Sequence, residues 1–337
     1  MTTVEALEDK LTQPSDELCS DLAEIGGDIL VLGASGKMGP TLARLAKRAI
    51  DRAGSKQQVY AAARFSNEGE REQLERWGIK TIKLDVVHGD LSQLPPAENV
   101  IYMVGHKFGT TGQEYRTWAV NTYAAGRVGE ALKGRRTVVF STGNVYPLTP
   151  VKRGGSLEED KPDPIGEYAQ SCLGRERLFE YMARCYNTPT LMFRLNYAID
   201  LRYGVLCDLA QQIWTGQTVD LSMGHVNVIW QGDANERALR SLKYTAVPPR
   251  ILNITGPETL SVRWLAEELA ERLGRTVTFT GEEQPTALLS NSSESNQLFG
   301  YPKVTVGTML DWIAQWIKQG GPTLGKPTRF SERKGAF

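Results

Sequence analysis

Apolar residues recur along this chain in two rhythms. Short runs with little polar interruption fall at residues 29–32, 59–63, 81–85, 100–104, 137–140, 188–194 and 250–255. Between them lie longer stretches in which apolar residues return every three or four positions, such as Leu42, Leu45, Ala46 and Ile50. The first rhythm predicts strands buried on both faces, and the second predicts amphipathic helices packed against them. A helix is expected over about 114–132, and Leu310, Ile313, Trp316 and Ile317 mark a last one. Strands and helices alternating at these spacings imply an α/β fold with a parallel, doubly wound sheet.

The first strand breaks into Gly33, Gly36 and Gly39, spaced three and three, just before the first such helix. One glycine permits a tight turn, a second lets backbone N–H groups approach a pyrophosphate, and the third allows close packing of the following helix. Pro40 falls in the first helical turn, where its missing N–H does no harm. The helix N-terminus then points its partial positive charge at the phosphates. This is the loop of a Rossmann-type dinucleotide site, with Ser35, Lys37 and Met38 between the glycines. The second strand ends in Arg64-Phe65-Ser66. In dinucleotide folds an acid there meets the ribose 2′-hydroxyl, and an arginine accommodates a 2′-phosphate. Arg64, with Lys37 in the loop, therefore favours NADP, with NAD possible. Asp85 and Val86, at the end of the third strand, are expected to face the adenine.

The boundaries read as an N-terminal extension at 1–27, a dinucleotide-binding domain at 28–198 with a contribution from 226–256, and a smaller substrate lobe at 199–225 and 257–318. A Pro- and Gly-punctuated basic tail, 319–337, reads as a strap or a disordered end. The extension reads as an exposed helical segment packed on the domain. Trp214, Trp230 and Trp264 read as core.

Charge changes little in this picture. Lys plus Arg and Asp plus Glu number 39 each, which gives no basic face for nucleic acid or a membrane surface. No apolar stretch approaches membrane-spanning length, and the first ten residues are unlike a signal peptide. Cys19, Cys172, Cys185 and Cys207 are isolated from one another, and His88, His106 and His225 are scattered. A reducing cytoplasm and no metal centre are expected.

Several short motifs then fall in one order: Gly33-x-x-Gly36-x-x-Gly39, Asp85-Val86, Val104-Gly105-His106-Lys107, Asn121, Ser141-Thr142-x-x-Val145-Tyr146, Tyr168, Arg194-Leu195-Asn196, and the stretch from Thr255 to Ser261. In this order and spacing, from about residue 28 to 318, the chain resembles the extended short-chain dehydrogenase/reductases, the family of UDP-galactose 4-epimerase and related nucleotide-sugar enzymes. The resemblance implies that Thr142 hydrogen-bonds a substrate oxygen and that Tyr168 is the general acid or base. It extends the cofactor site to Val104, Gly105, Lys107, Asn121 and Tyr168. It also draws His106, Thr142, Asn144 and Asn196 towards the substrate. In many relatives the helices around Asn121 and Tyr168 form a dimer contact, so a homodimer acting on a small molecule is expected.

The chain departs from that family at one position. The lysine four residues after the tyrosine is replaced, because the sequence reads Tyr168-Ala-Gln-Ser-Cys172. Bringing a phenol from about 10 to neutrality takes roughly 4 kcal/mol. One cation at about 4 Å supplies about that much at an effective dielectric of about 20. Without it Tyr168 stays protonated: able to donate to a carbonyl, but a poor base towards an alcohol. Two stand-ins are available, Lys107, which matches a lysine after the fourth strand of the epimerase, and Arg175, seven residues after Tyr168. The resemblance favours Lys107, and Cys172 reads as space-filling. The leading expectation is an NAD(P)-dependent oxidoreductase, epimerase or dehydratase acting on a polar, sugar-like carbonyl or hydroxyl. The rival is a nucleotide-holding redox sensor or scaffold without turnover.

Overall fold

A computed structural model describes residues 1–107, 109 and 111–336; the last residue of the tail, Phe337, lies outside them. The apolar runs form β1 (Ile29–Leu32), β2 (Val59–Ala63), β3 (Lys80–Lys83), β4 (Asn99–Tyr102), β5 (Arg136–Thr142), β6 (Thr190–Leu195) and β7 (Arg250–Ile254). All pair in parallel, in the order β7-β6-β5-β4-β1-β2-β3. Both faces are covered, and alternation along each strand divides the side chains between them. Ile29 and Val31 pack into one layer with α2 (Asp16–Ile25), α3 (Gly39–Arg52) and α9 (Gln231–Arg240). Leu30 and Leu32 pack into the opposite layer with α6 (Ala124–Ala131) and Phe179 of α7 (Gly166–Tyr186).

The strand order reverses beside β1, between β2 on one side and β4 on the other. A crevice opens there, at the carboxyl ends of the strands. A third core closes it from the far side. It joins α8 (Val205–Trp214), α10 (Val262–Leu273) and α12 (Val306–Lys318), tied by two-residue strand pairings. Among the described residues, no helix is long and apolar enough to cross a membrane.

The structure places the extension, the tail and the tryptophans expected in the core. The extension buries one face of its helices: Leu7 and Leu11 of α1 (Val4–Leu11) are buried in the lobe core, whereas Leu18 and Leu22 of α2 are buried against the sheet's helices. It clamps the two cores together, because its leucines are spaced to fill both. The tail is ordered as a strap: Leu324 N donates to Arg202 O, Arg333 donates to Ser222 O and Thr286 O, and Phe330 is buried in the lobe core. Of the three tryptophans, only Trp230 is fully buried; Trp214 is half-buried and Trp264 is 41% exposed.

Candidate active site

Gly33 takes φ +86°, and a side chain there would meet the backbone of Met103 and Val104 at 2.9 Å. At Gly39 a side chain would strike Ala34 O at 2.5 Å, so the loop closes on itself before α3 starts. At Gly36 the only close atom would be Gly33 O, at 3.3 Å. The missing side chain there leaves a cradle that fits a pyrophosphate, lying before the N-terminus of α3. Ser35 and Met38 lie in this loop, and Met38 also lines the cavity described below.

The helix expected over 114–132 is interrupted. α5 (Glu114–Trp118) passes through a π turn, Ala119–Tyr123, into α6. The extra residue per turn brings Asn121 inwards, where its Oδ1 accepts from His106 N at 2.8 Å and its Nδ2 donates to His106 O at 3.0 Å and to Ser171 Oγ at 2.9 Å. Asn121 thus fixes the Val104–Gly105–His106–Lys107 segment to α7.

A cavity of about 160 Å³ lies between this edge and the lobe. Thr142, Asn144, Tyr168, Lys107, Lys37 and Asn196 converge on it. Thr142 Oγ1 accepts from Asn144 N at 3.2 Å. Tyr168 hydrogen-bonds the side chains of Thr142 and Cys172. Tyr168 is half-buried, and burial followed by Cys172 pushes its pKa well above 10 against the pull of Arg175. Tyr168 is therefore protonated at neutral pH.

Arg175 lies nearer in effect to the phenol than expected. Its Nη1 donates to Phe140 O at 2.8 Å, its Nη2 to Asn121 Oδ1 at 2.9 Å, and its Nε to Asn121 O at 3.3 Å. This buried guanidinium is anchored to backbone and acts on Tyr168 through space. Lys107 Nζ stands 5.7 Å from the Tyr168 ring centroid, over the face of the ring. Burial lowers Lys107 to about 8 against Cys172 and Asp208. Cys172 packs with Val145, Tyr146 and Tyr168, and burial raises its pKa, so it is a thiol and not a reactive thiolate.

The end of β5 is held from behind by a buried polar chain. Ser141 Oγ donates to Glu176 Oε1 at 2.6 Å. Arg194 clasps Glu176 through Nε at 2.9 Å and Nη2 at 2.6 Å, and reaches Tyr146 Oη at 2.7 Å. Tyr146 donates in turn to Asn253 Oδ1 at 2.9 Å. Each charge is paired and bonded, which makes burial of the pair tolerable and fixes Ser141 and Thr142 in place.

Other expected site residues lie elsewhere. His106 is not among the cavity residues; its ring is lowered in pKa by burial, then by Arg116 and Arg64. Arg64 is exposed directly after β2, followed by Ser66, also exposed. Lys37 does not join Arg64: its side chain reaches across to the lobe, with Nζ 3.2 Å from the Tyr203 ring centroid. Asp85 Oδ1 accepts from Val87 N at 2.8 Å, turning the chain after β3 beside the buried Val86.

Sequence reasoning missed three residues that line the cavity: Tyr203 of the lobe, Gln231 at the start of α9 and Thr328 of the strap. It also missed Asp208, whose carboxylate accepts from Thr328 N at 2.7 Å and Thr328 Oγ1 at 2.6 Å. A lone acid in the apolar helix Val205–Trp214 was the available signal for Asp208; nothing marked Thr328.

A family model described as the NAD dependent epimerase/dehydratase family matches residues 29–199. Among solved structures, the chain is similar to a UDP-glucuronic acid 4-epimerase from Bacillus cereus in complex with NAD, at 19% identity over 87% of this chain and 97% of that one, with TM-score 0.72. It is similar to a UDP-N-acetylglucosamine 4-epimerase from Methanobrevibacter ruminantium M1 in complex with UDP-N-acetylmuramic acid, at 17% identity over 87% and 99%, with TM-score 0.71. It is also similar to a UDP-glucose 4-epimerase from Thermotoga maritima with UDP-glucose, at 17% identity over 87% and 99%, with TM-score 0.70. No curated protein sequence matches the chain. At these identities the structural likeness speaks to fold.

Proposed function

The chain belongs to the NAD-dependent epimerase/dehydratase family, and from that premise we propose that it binds a nicotinamide dinucleotide across the Gly33–Gly39 loop and transforms a carbonyl or hydroxyl of a sugar nucleotide. The observation that carries this reading is the convergence of Thr142, Tyr168 and Lys107 on one cavity beside that loop. When bound, the nicotinamide supplies hydride exchange. The protein's own groups then handle the oxygen. Thr142 Oγ orients it, and the protonated Tyr168 gives it a proton, which suits reduction of a carbonyl. The ammonium of Lys107 and the buried guanidinium of Arg175 favour the phenolate left behind, sharing the work of the missing lysine. Asn144 and Asn196 line the substrate side, and Asn121 holds the segment carrying Lys107.

No acid stands in the Arg64-Phe65-Ser66 segment that follows β2, and an arginine at this point of a dinucleotide fold accommodates a 2′-phosphate, so NADP is the preferred coenzyme in this reading, with NAD accepted. A homodimer through α5 and α7 belongs to it as well, supported by the large aromatic groups these helices leave exposed, Tyr115 at 72% and Tyr181 at 58%.

Turnover tests the reading. Tyr168→Phe is expected to lower kcat on a sugar-nucleotide substrate by about a hundredfold or more. Unchanged kcat overturns the role of Tyr168, and failure of NAD and NADP alike to saturate the protein in calorimetry overturns the whole reading. The rival, a nucleotide-holding protein without turnover, draws on the neutral Tyr168 and Cys172 and predicts saturation with no activity on any such substrate.

A further inference from the structure

The cavity carries more charge than the hydride chemistry uses. Lys37 leaves the glycine loop, crosses the crevice and rests on the Tyr203 ring, among Asn144, Asn196 and Thr328. Lys107 enters the same cavity from the segment after β4. Lys326 of the strap adds to the positive field on Lys37. The carboxylate acting on both cavity lysines is Asp208, and Thr328 already donates to it twice. One acid held by the strap faces two lysines in a half-closed space.

We propose that the cavity takes a substrate carrying a carboxylate on its reacting sugar, and that Lys37 is the residue that recognises it. This rests on the dinucleotide-dependent reading above and narrows its substrate class. The pyrophosphate does not require this side chain, because the cradle at Gly36 and the N-terminus of α3 are built of backbone N–H groups. An ammonium beside a carboxylate in a site shielded from water forms a short, charge-assisted hydrogen bond that a hydroxymethyl group cannot match.

Protonation ties the test to the same groups. Lys37 faces Lys107 from the segment after β4, Tyr168 from α7, Tyr197 from the segment after β6, Tyr203 and Asp208 from the lobe, and Lys326 from the strap. Burial first, then Lys107 and Lys326, draws Lys37 down to about 7. An incoming carboxylate favours the charged amine, so binding takes up a proton and affinity falls as pH rises above that value.

UDP-glucuronate and UDP-glucose differ at the carboxylate and serve as the probes, titrated by calorimetry into the full chain saturated with NAD. Near about pH 6.5 the acid is expected to bind about tenfold or more tightly than the neutral sugar, the scale of one charge-assisted hydrogen bond. That preference should fall by about tenfold towards pH 8.5, with proton uptake visible as a dependence of the heat on the buffer. Lys37→Gln should bring the ratio to within about twofold, and Lys37→Arg should keep it above about fivefold. A wild-type ratio of one or less overturns the proposal, as does a Lys37→Gln variant that weakens both ligands equally, since Lys37 would then serve the shared diphosphate. Coenzyme saturation with a ratio of one spares the dinucleotide reading; absence of saturation by NAD and NADP alike removes both.

Discussion

The two walls of the cavity are built differently. The dinucleotide wall stands on a seven-stranded parallel sheet whose core is covered on both faces, and its working groups are fixed from behind by Asn121, Arg175 and the Ser141–Glu176–Arg194–Tyr146 chain. The lobe wall hangs from two-residue pairings and a C-terminal strap. Positions that must act on a coenzyme common to a family are set on the rigid wall. The lobe wall is the one that sequence change can rebuild at little cost to the fold.

Breaking each wall in turn sharpens this contrast. The largest effect is expected from Phe330→Ala, which empties a buried strap position in the lobe core: a loss of about 3 kcal/mol in denaturant unfolding, with the sugar-nucleotide KM raised more than the NAD Kd. Gly33→Ala strikes the other wall. Its positive φ and the 2.9 Å approach to Met103 and Val104 should cost about 2 kcal/mol, and NAD affinity should fall first.

The cavity lysines give the contrast a pH signature. Lys37 and Lys107 are lowered to about 7 and about 8 from the ordinary 10.5. The unfolded chain therefore binds more protons between those values and 10.5, so both lysines make stability rise with pH through that window. Lys37→Met should flatten the rise by up to about 1.4 kcal/mol per pH unit between pH 7 and 10. An unchanged slope in urea melts would mean that Lys37 titrates normally. Thr328→Val, which removes one of two donors to Asp208, should cost about 1 kcal/mol and leave NAD affinity within about twofold. The smallest effect belongs to the exposed Arg52–Asp16 pair at the extension, whose coupling in a double-mutant cycle should stay below about 0.5 kcal/mol.

The fold was legible because its signals are local. Seven apolar runs land within about two residues of the observed strands, and Gly33 must be glycine to turn where it does. The likeness of Thr142, Tyr168 and Asn121 to a known order of motifs placed them at one crevice; the structure brings Thr142 and Tyr168 to one cavity and sets Asn121 behind it, bonded to His106 and Ser171. The π turn at Asn121 left no trace in periodicity, since one added residue shifts a helical pattern by less than the scatter of apolar positions. Trp264 misled because tryptophan carries its size wherever it stands, whereas exposure depends on what packs over it.

The order of apolar and polar residues determined the sheet, its layers and the glycine turn, because backbone hydrogen bonding and side-chain alternation act over a few residues. Only the folded chain decided that Lys37 turns towards Tyr203 rather than Arg64, that Arg175 acts on Tyr168 while Lys107 lies over its ring, and that the strap delivers Thr328 to Asp208 across 120 positions. Those are electrostatic and packing relations between segments far apart in the chain, and they exist only once two hydrophobic cores have closed on each other.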